Sequence, residues 1–132
     1  MQDEAVHQAI AVRETIVVIA VSDSSRSRDW YSPLFGKVPD LEPFPGNVEF
    51  KVGNAWVQIS KGAVKPSSWS LQLEVRNLER KREWLRNAGI EATEIKTVPD
   101  VIGYFDLNDP DSNSMRCFQV LTSDPKVTAK RD

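Results

Sequence analysis

The alternation of apolar and polar residues predicts short strands and two helices. Residues 15–21 form a continuous β-branched apolar run, which is typical of a strand buried on both faces. Residues 22–25 offer side chains that cap helix N-termini, and apolar residues then recur at helical spacing as far as Gly36. A helix that ends at this glycine is therefore predicted.

A segment rich in proline and glycine follows this helix and predicts a loop or an irregular edge segment. It contains Pro39, Pro43, Pro45 and Gly46. Residues 48–52 and 55–59 then alternate between apolar and polar on either side of Gly53-Asn54. This pattern predicts a β-hairpin.

The same order of elements then returns. Residues 70–75 alternate strictly, which predicts a strand with one buried face and one wetter face. Asn77 is positioned to cap a helix that runs to Gly89. Three further strands are predicted at residues 91–96, 101–107 and 114–121. The sequence therefore predicts two consecutive units, each with the element order β-α-β-β-β.

The repeat and the length of 132 residues predict one α+β domain over residues 14–122. Unit one covers about residues 14–62 and unit two about 68–122, with residues 1–13 as an N-terminal extension and 123–132 as a C-terminal tail. Each unit buries its helix against its own sheet, which leaves the other sheet face free. We expect the two units to form a curved mixed sheet around a cleft, with the helices on the outer face.

Composition and charge limit the range of expected binding partners and cellular locations. A net charge of -2 and a pI of about 5.5 give no general attraction to nucleic acid, and the short basic segment at residues 126–131 is interpreted as a solvated terminus. No apolar run is long enough for a membrane span, and the acidic start is unlike a signal peptide. Cys117 is the only cysteine, so no disulfide forms within the chain and a cytoplasmic location is expected.

Four short segments together resemble the vicinal-oxygen-chelate superfamily, which includes glyoxalase I, fosfomycin- and bleomycin-resistance proteins and extradiol dioxygenases. They are the strand end VIAVSD at 18–23, the helix end WYSPLFG at 30–36, the junction LEVRNL at 73–78 and the turn DPDSN at 109–113. Ser112 stands where that turn usually has glycine. The resemblance spans roughly residues 14–121 and implies the paired βαβββ fold.

The resemblance also implies where a metal site would lie. Members of this superfamily commonly bind a metal through histidine and glutamate on strands that face the cleft, and the corresponding residues here are Ile16, Gln58, Ser70 and Arg116. None of these side chains is a good ligand for a divalent metal. The only histidine, His7, precedes the first strand. Metal-dependent glyoxalase, dioxygenase and thiol-transfer activities are therefore disfavoured, and no cofactor is expected.

Strand alternation then predicts which side chains line the cleft. The candidate ligand-binding residues are Trp56, Gln58, Ser70, Gln72, Glu74, Arg116 and Phe118. Met115 and Cys117 fall on the opposite face of the last strand, in the core. Two alternatives remain open for Arg116, which either binds an anionic ligand or pairs with Glu74. Trp56 either stacks on a flat ligand or packs at a subunit interface.

Three functions are consistent with this pattern. The first is a metal-independent protein that sequesters a planar or anionic small molecule in the cleft. The second is a metal-free lyase or isomerase in which Glu74 acts as base and Arg116 steadies an oxyanion, although no activated pair supports it. The third is a protein-interaction module that uses the sheet face. The resemblance also implies a homodimer whose cleft lies near the interface.

Overall fold

A computed structural model describes residues 11–64 and 71–125. Three features of the sequence lie outside these residues: His7, the candidate site residue Ser70 and the basic segment at 126–131. Among the described residues, no helix is both long enough and apolar enough to cross a membrane.

Unit one has the predicted order of strand, helix and three strands. The elements are β1 (Ile16–Val21), α1 (Ser24–Phe35), β2 (Leu41–Phe44), β3 (Asn47–Val52) and β4 (Ala55–Lys61). They form a four-stranded mixed sheet in the order β1-β4-β3-β2, with β1 parallel to β4 and the other pairs antiparallel. The proline-rich segment supplies β2, an edge strand with an irregular register, as the proline content predicts.

Unit two repeats this arrangement. Its elements are β5 (Leu71–Glu74), α2 (Leu78–Asn87), β6 (Lys96–Val98), β7 (Ile102–Asn108) and β8 (Ser114–Val120). Its sheet has the order β5-β8-β7-β6, which is the same topology as in unit one. The fold is therefore α+β with two βαβββ units, as the sequence predicts, and each unit has its own mixed sheet.

Both helices begin at the residues that the sequence indicates and α1 ends at the predicted glycine, whereas α2 ends at Asn87, two residues before the predicted Gly89. The side chain of Asp23 accepts a hydrogen bond from the backbone N–H of Arg26, and that of Asn77 accepts one from Arg80, so each helix has an N-cap. Gly36 ends α1 with φ of 70°, a left-handed conformation that strains residues bearing a Cβ. Short polar side chains and glycine thus set the helix boundaries.

The strand predicted at residues 91–96 is wrong. Residues 91–95 are not a strand, and β6 begins only at Lys96. The carbonyl of Thr93 accepts from Arg82 Nε of α2 at 2.8 Å, and its hydroxyl accepts from the backbone N–H of Asp106 at 2.8 Å. Because these contacts hold the segment between α2 and β7, it forms no regular ladder at this point.

The core lies between the helices and the inner faces of the sheets. Four of the side chains that strand alternation places beneath the helices are half-buried against the core, namely Val17, Leu71, Leu73 and Val75. The others are buried, as predicted. They include Ile19, Val21, Val57, Ile59, Met115 and Cys117. Burial raises the pKa of the Cys117 thiol to about 11, so the thiol stays protonated and serves as a small apolar side chain.

Two sets of contacts join the units. At the exit of β1, Asn113 Nδ2 donates to the carbonyl of Ala20 at 3.1 Å, while the Tyr31 hydroxyl of α1 donates to Asp109 at 2.6 Å. At the other end of α1, Lys81 Nζ of α2 donates to the carbonyl of Leu34 at 2.6 Å. This second contact satisfies a carbonyl in the last turn of α1, where a helix lacks its own donors.

Candidate ligand-binding site

The open face of the second sheet carries a fixed cation. Arg116 on β8 lies directly opposite Asp106 on β7, and its Nε and Nη2 atoms donate to the two carboxylate oxygens at 2.7 Å and 3.1 Å. The centre of the guanidinium lies 4.0 Å from the ring centroid of Tyr104. Hydrogen bonding to Asp106 raises the pKa of Arg116, so the group remains charged. Together Arg116, Tyr104 and Asp106 form what we call the arginine platform.

Four predicted site residues adjoin one another on this sheet. Gln72 of β5 lies opposite Arg116 of β8, and Glu74 lies opposite Phe118. Gln72 and Glu74 are exposed, whereas Phe118 retains only 8% of its surface. The structure therefore groups these four residues, with Phe118 largely covered.

Of the two alternatives left open for Arg116, the ion pair forms with a carboxylate other than that of Glu74. The ion pair of Arg116 is with Asp106, at 2.7 Å. Register explains the difference, because Asp106 faces Arg116 across the β7–β8 ladder, whereas Glu74 is in register with Phe118, two positions farther along β8.

The other two described site residues, Trp56 and Gln58, lie on the first sheet. Lys51 Nζ is 5.3 Å from the centroid of the Trp56 ring, which is a cation–π contact. Gln58 is held in a polar row, since its Nε2 lies 3.4 Å from Glu49 Oε2 and its Oε1 accepts from Ser60 at 3.0 Å. The site residues thus form two groups, one on each sheet.

Apolar side chains flank the polar centre of the first sheet. Ile16 and Val18 of β1 are 50% and 55% exposed, and Leu41 and Phe44 of β2 are 51% and 65% exposed. Pairing places Ile16 beside Trp56, Val18 beside Gln58 and Leu41 beside Glu49, so these residues share the open face. Both edge strands therefore present an exposed apolar margin.

Sequence reasoning missed Tyr104 and Asp106. The signal was present, since residues 102–108 alternate in the same manner as the other strands. Phe105 and Leu107 are buried, whereas Tyr104 and Asp106 are partly exposed on the open face. Only the register of β7 against β8 shows that these two residues meet Arg116.

The positions that the sequence resemblance assigns to metal ligands do not suit a divalent metal in this protein. Ile16 offers no donor atom, Gln58 is hydrogen-bonded to its neighbours, and Arg116 brings a positive charge. No cluster of three or more His, Cys, Asp or Glu side chains able to hold a metal occurs within residues 11–64 and 71–125.

We predict that washed protein carries no stoichiometric zinc, nickel, manganese or iron. The physical reason is the donor set at Ile16, Gln58 and Arg116, which supplies neither imidazole nor an available carboxylate. Elemental analysis of protein purified without chelator measures this directly. One equivalent of any of these metals per chain would contradict the prediction.

Two surface cavities lie at α2, away from these side chains. One of about 430 Å³ is lined by residues that include Arg82, Arg86 and Ile90, and one of about 330 Å³ by residues that include Asn77 and Gln119. Neither is lined by a predicted site residue.

Several solved structures have a fold similar to that of this chain. A glyoxalase/bleomycin resistance protein from Catenulispora acidiphila has a TM-score of 0.70 at 19% identity, covering 81% of this chain and 97% of that one. The fosfomycin resistance protein FosX from Mesorhizobium loti has a TM-score of 0.65 at 15% identity, covering 84% and 93%. A glyoxalase/bleomycin resistance protein/dioxygenase from Nocardioides has 0.68 at 16% identity, covering 93% and 95%.

Comparison of the sequence with known proteins finds no match, whereas comparison of the structure does. No protein-family model matches the sequence, and no curated protein matches it. Identities of 15–19% across nearly whole chains support a shared architecture and leave the chemistry open. The chain thus has the paired βαβββ fold of the vicinal-oxygen-chelate superfamily, as glyoxalase and bleomycin-resistance proteins do.

Proposed function

We propose that this protein is a metal-independent small-molecule binding protein of the glyoxalase/bleomycin-resistance type, which sequesters a planar or anionic ligand against its open sheet faces. The observation that carries the proposal is the arginine platform, in which Asp106 accepts two hydrogen bonds from Arg116 and the guanidinium centre lies 4.0 Å from the centroid of the Tyr104 ring. A fixed planar cation beside an aromatic ring suits a flat partner. The lack of imidazole and of carboxylate at Ile16, Gln58 and Arg116 supports a binding role that needs no reactive group.

A second copy of the chain completes the cleft in this proposal. The first sheet leaves β1 and β2 at its edges, and the exposed apolar side chains lie on these two strands. Edge strands with apolar margins pair readily with another chain. A partner would cover them and enclose the open surface.

The proposed dimer can be tested directly by measuring the molecular mass in solution. Light scattering at micromolar concentration is expected to give twice the chain mass of 14.9 kDa. Replacing Val18, which is 55% exposed, with lysine should shift the protein towards the monomer while the fold persists. A monomer mass for the parent protein would remove the shared-cleft arrangement.

Two other functions rank below this one. The metal-free lyase or isomerase requires Arg116 to stabilise an oxyanion, but one edge of its guanidinium is engaged by Asp106. The interaction module is favoured by the exposed apolar residues of β1 and β2, and these also serve the dimer. We place the protein in the cytoplasm, because its one cysteine is a buried free thiol.

The test is a thermal-stability screen followed by calorimetry. The screen compares planar aromatic acids, planar neutral compounds and aliphatic compounds, since a ligand that binds only the native state raises the melting temperature. For the best binder, Trp56→Ala is expected to cost about 0.5–1.5 kcal/mol of stacking beyond area burial, and Arg116→Gln about 1.5–3 kcal/mol if the contact is charge-assisted.

Two matched control variants remove an arginine and a tryptophan side chain that lie on the helices, outside the candidate site. Arg28→Gln removes an arginine that also makes an ion pair, with Glu42 at 3.2 Å, but Arg28 belongs to α1. Trp84→Ala removes an exposed tryptophan from α2. Both controls should bind as the parent does, with circular dichroism confirming the fold. Full affinity in both Trp56→Ala and Arg116→Gln would place the ligand elsewhere and favour the interaction module.

A further inference from the structure

The charge of the arginine platform is already balanced within the protein. Asp106 accepts two hydrogen bonds from Arg116, from Nε and from Nη2, so the side-on edge of the guanidinium is engaged. The two side chains are also about equally exposed, at 37% and 38%. A ligand therefore meets an ion pair at this point, and its carboxylate would lie close to that of Asp106.

The neighbouring strands add no net charge. Register places Lys96 of β6 beside Tyr104, and Glu74 of β5 beside Phe118, on the same face as the platform. The strands of this sheet thus show two cations and two anions on the open face, and Gln72 is the uncharged neighbour of Arg116. An anion gains little long-range attraction here.

We propose that Asp106 is a specificity-determining residue that makes the platform select flat, uncharged ligands with a hydrogen-bond acceptor over flat carboxylates. The face of the guanidinium and the remaining N–H groups of Nη1 and Nη2 serve such a ligand, because a carbonyl accepts from them without repelling Asp106. This rests on the proposed function and narrows its ligand from planar or anionic to planar and neutral.

The side chain of Asp106 can be altered without breaking the local backbone contacts. Its backbone N–H donates to Thr93 Oγ1 and its carbonyl accepts from Thr93 N, and neither contact uses the carboxylate. Asp106→Asn keeps the shape and one acceptor oxygen while removing the negative charge. The guanidinium then carries an unbalanced positive charge.

The experiment compares two probes of the same shape, 2-naphthamide and 2-naphthoate, by calorimetry on the chain of 132 residues. The parent is expected to bind the amide more tightly than the acid. Asp106→Asn should raise the affinity for 2-naphthoate by about tenfold, the gain of roughly one charge-assisted contact, and leave that for 2-naphthamide nearly unchanged. The double variant Asp106→Asn/Arg116→Gln should lose the gain, which shows that it acts through Arg116.

The control is Asp29→Asn, which removes the same charge from an exposed position on α1 and should leave both affinities unchanged. An unaltered affinity of folded Asp106→Asn for 2-naphthoate would overturn the role of Asp106, and so would a parent that prefers the acid. Failure of the parent to bind 2-naphthamide or any planar compound in the screen counts instead against the proposed function. The two failures are therefore distinguishable.

Discussion

Replacing Asp109 with alanine is expected to lower the free energy of unfolding by about 3–5 kcal/mol, because it removes the acceptor of a buried network. Asp109 is 4% exposed and begins the turn before β8. Its carboxylate accepts from the Tyr31 hydroxyl at 2.6 Å, from the backbone N–H groups of Asp111 and Asn113 at 2.9 Å and 2.8 Å, and from Asn113 Nδ2 at 2.8 Å.

The loss is large because the donors stay where water does not reach them easily. Tyr31 is fully buried, so its hydroxyl would keep its desolvation cost without a partner. Asn113 also donates to the carbonyl of Ala20, so the same turn holds the end of β1. Losing Asp109 therefore loosens the contact between the two units as well as the turn.

Chemical denaturation of Asp109→Ala against the parent measures this effect. Asp29→Ala is the matched control, since Asp29 is exposed on α1 and its loss should change stability by less than about 0.5 kcal/mol. Asp109→Asn should fall between the two because it keeps one acceptor oxygen. A change below about 1 kcal/mol for Asp109→Ala would mean that the network is satisfied by other groups.

Stability is expected to fall steeply above pH 10, and Tyr31→Phe should remove part of that slope. Burial, followed by the hydrogen bond to Asp109 and its charge, raises the pKa of Tyr31 far above its usual range. The unfolded chain releases the phenolic proton near pH 10, whereas the native protein keeps it. Above this pH the unfolded state binds fewer protons than the native state. The stabilisation that Tyr31 contributes to the native state is therefore fully present below about pH 10 and is lost as the pH rises.

The size of this pH dependence follows from the release of one proton, that of Tyr31, when the chain unfolds. Above pH 10 the free energy of unfolding should fall by about 1.4 kcal/mol per pH unit through Tyr31, and this portion should be absent from Tyr31→Phe. Cys117, whose pKa burial raises to about 11, contributes a similar loss between about pH 9 and 11 in both proteins, so it cancels in the difference.

The measurement is denaturant unfolding from pH 8 to 12 for the parent and for Tyr31→Phe. Trp30→Phe is the control, because it disturbs an aromatic ring in edge contact with Tyr31, at 4.8 Å between centroids, without changing a titrating group. Trp30→Phe should lower stability at every pH and keep the slope of the parent. Equal slopes in the parent and Tyr31→Phe would show that Tyr31 ionises in the native state.

Much of the fold could be predicted because local patterns and tertiary contacts agree. The β-branched run of β1, the caps Asp23 and Asn77 and the stop at Gly36 each act within a few residues, so the sequence is sufficient to place them. The alternation of β4 likewise identifies its buried and open faces, and that of β8 does so as far as Cys117. The segment at 91–95 was mispredicted because Arg82, from a different element, binds its carbonyl groups.

The sequence by itself determined the two βαβββ units and most of the buried strand positions, since these depend on residue type and spacing. Only the tertiary structure decided which charges meet. Asp106 and Arg116 are ten residues apart in sequence and become partners through the register of β7 and β8. Register depends on the whole ladder and on packing beneath it, which no single motif specifies. For that reason the carboxylate that sets the charge of the platform was found in the structure and not in the sequence.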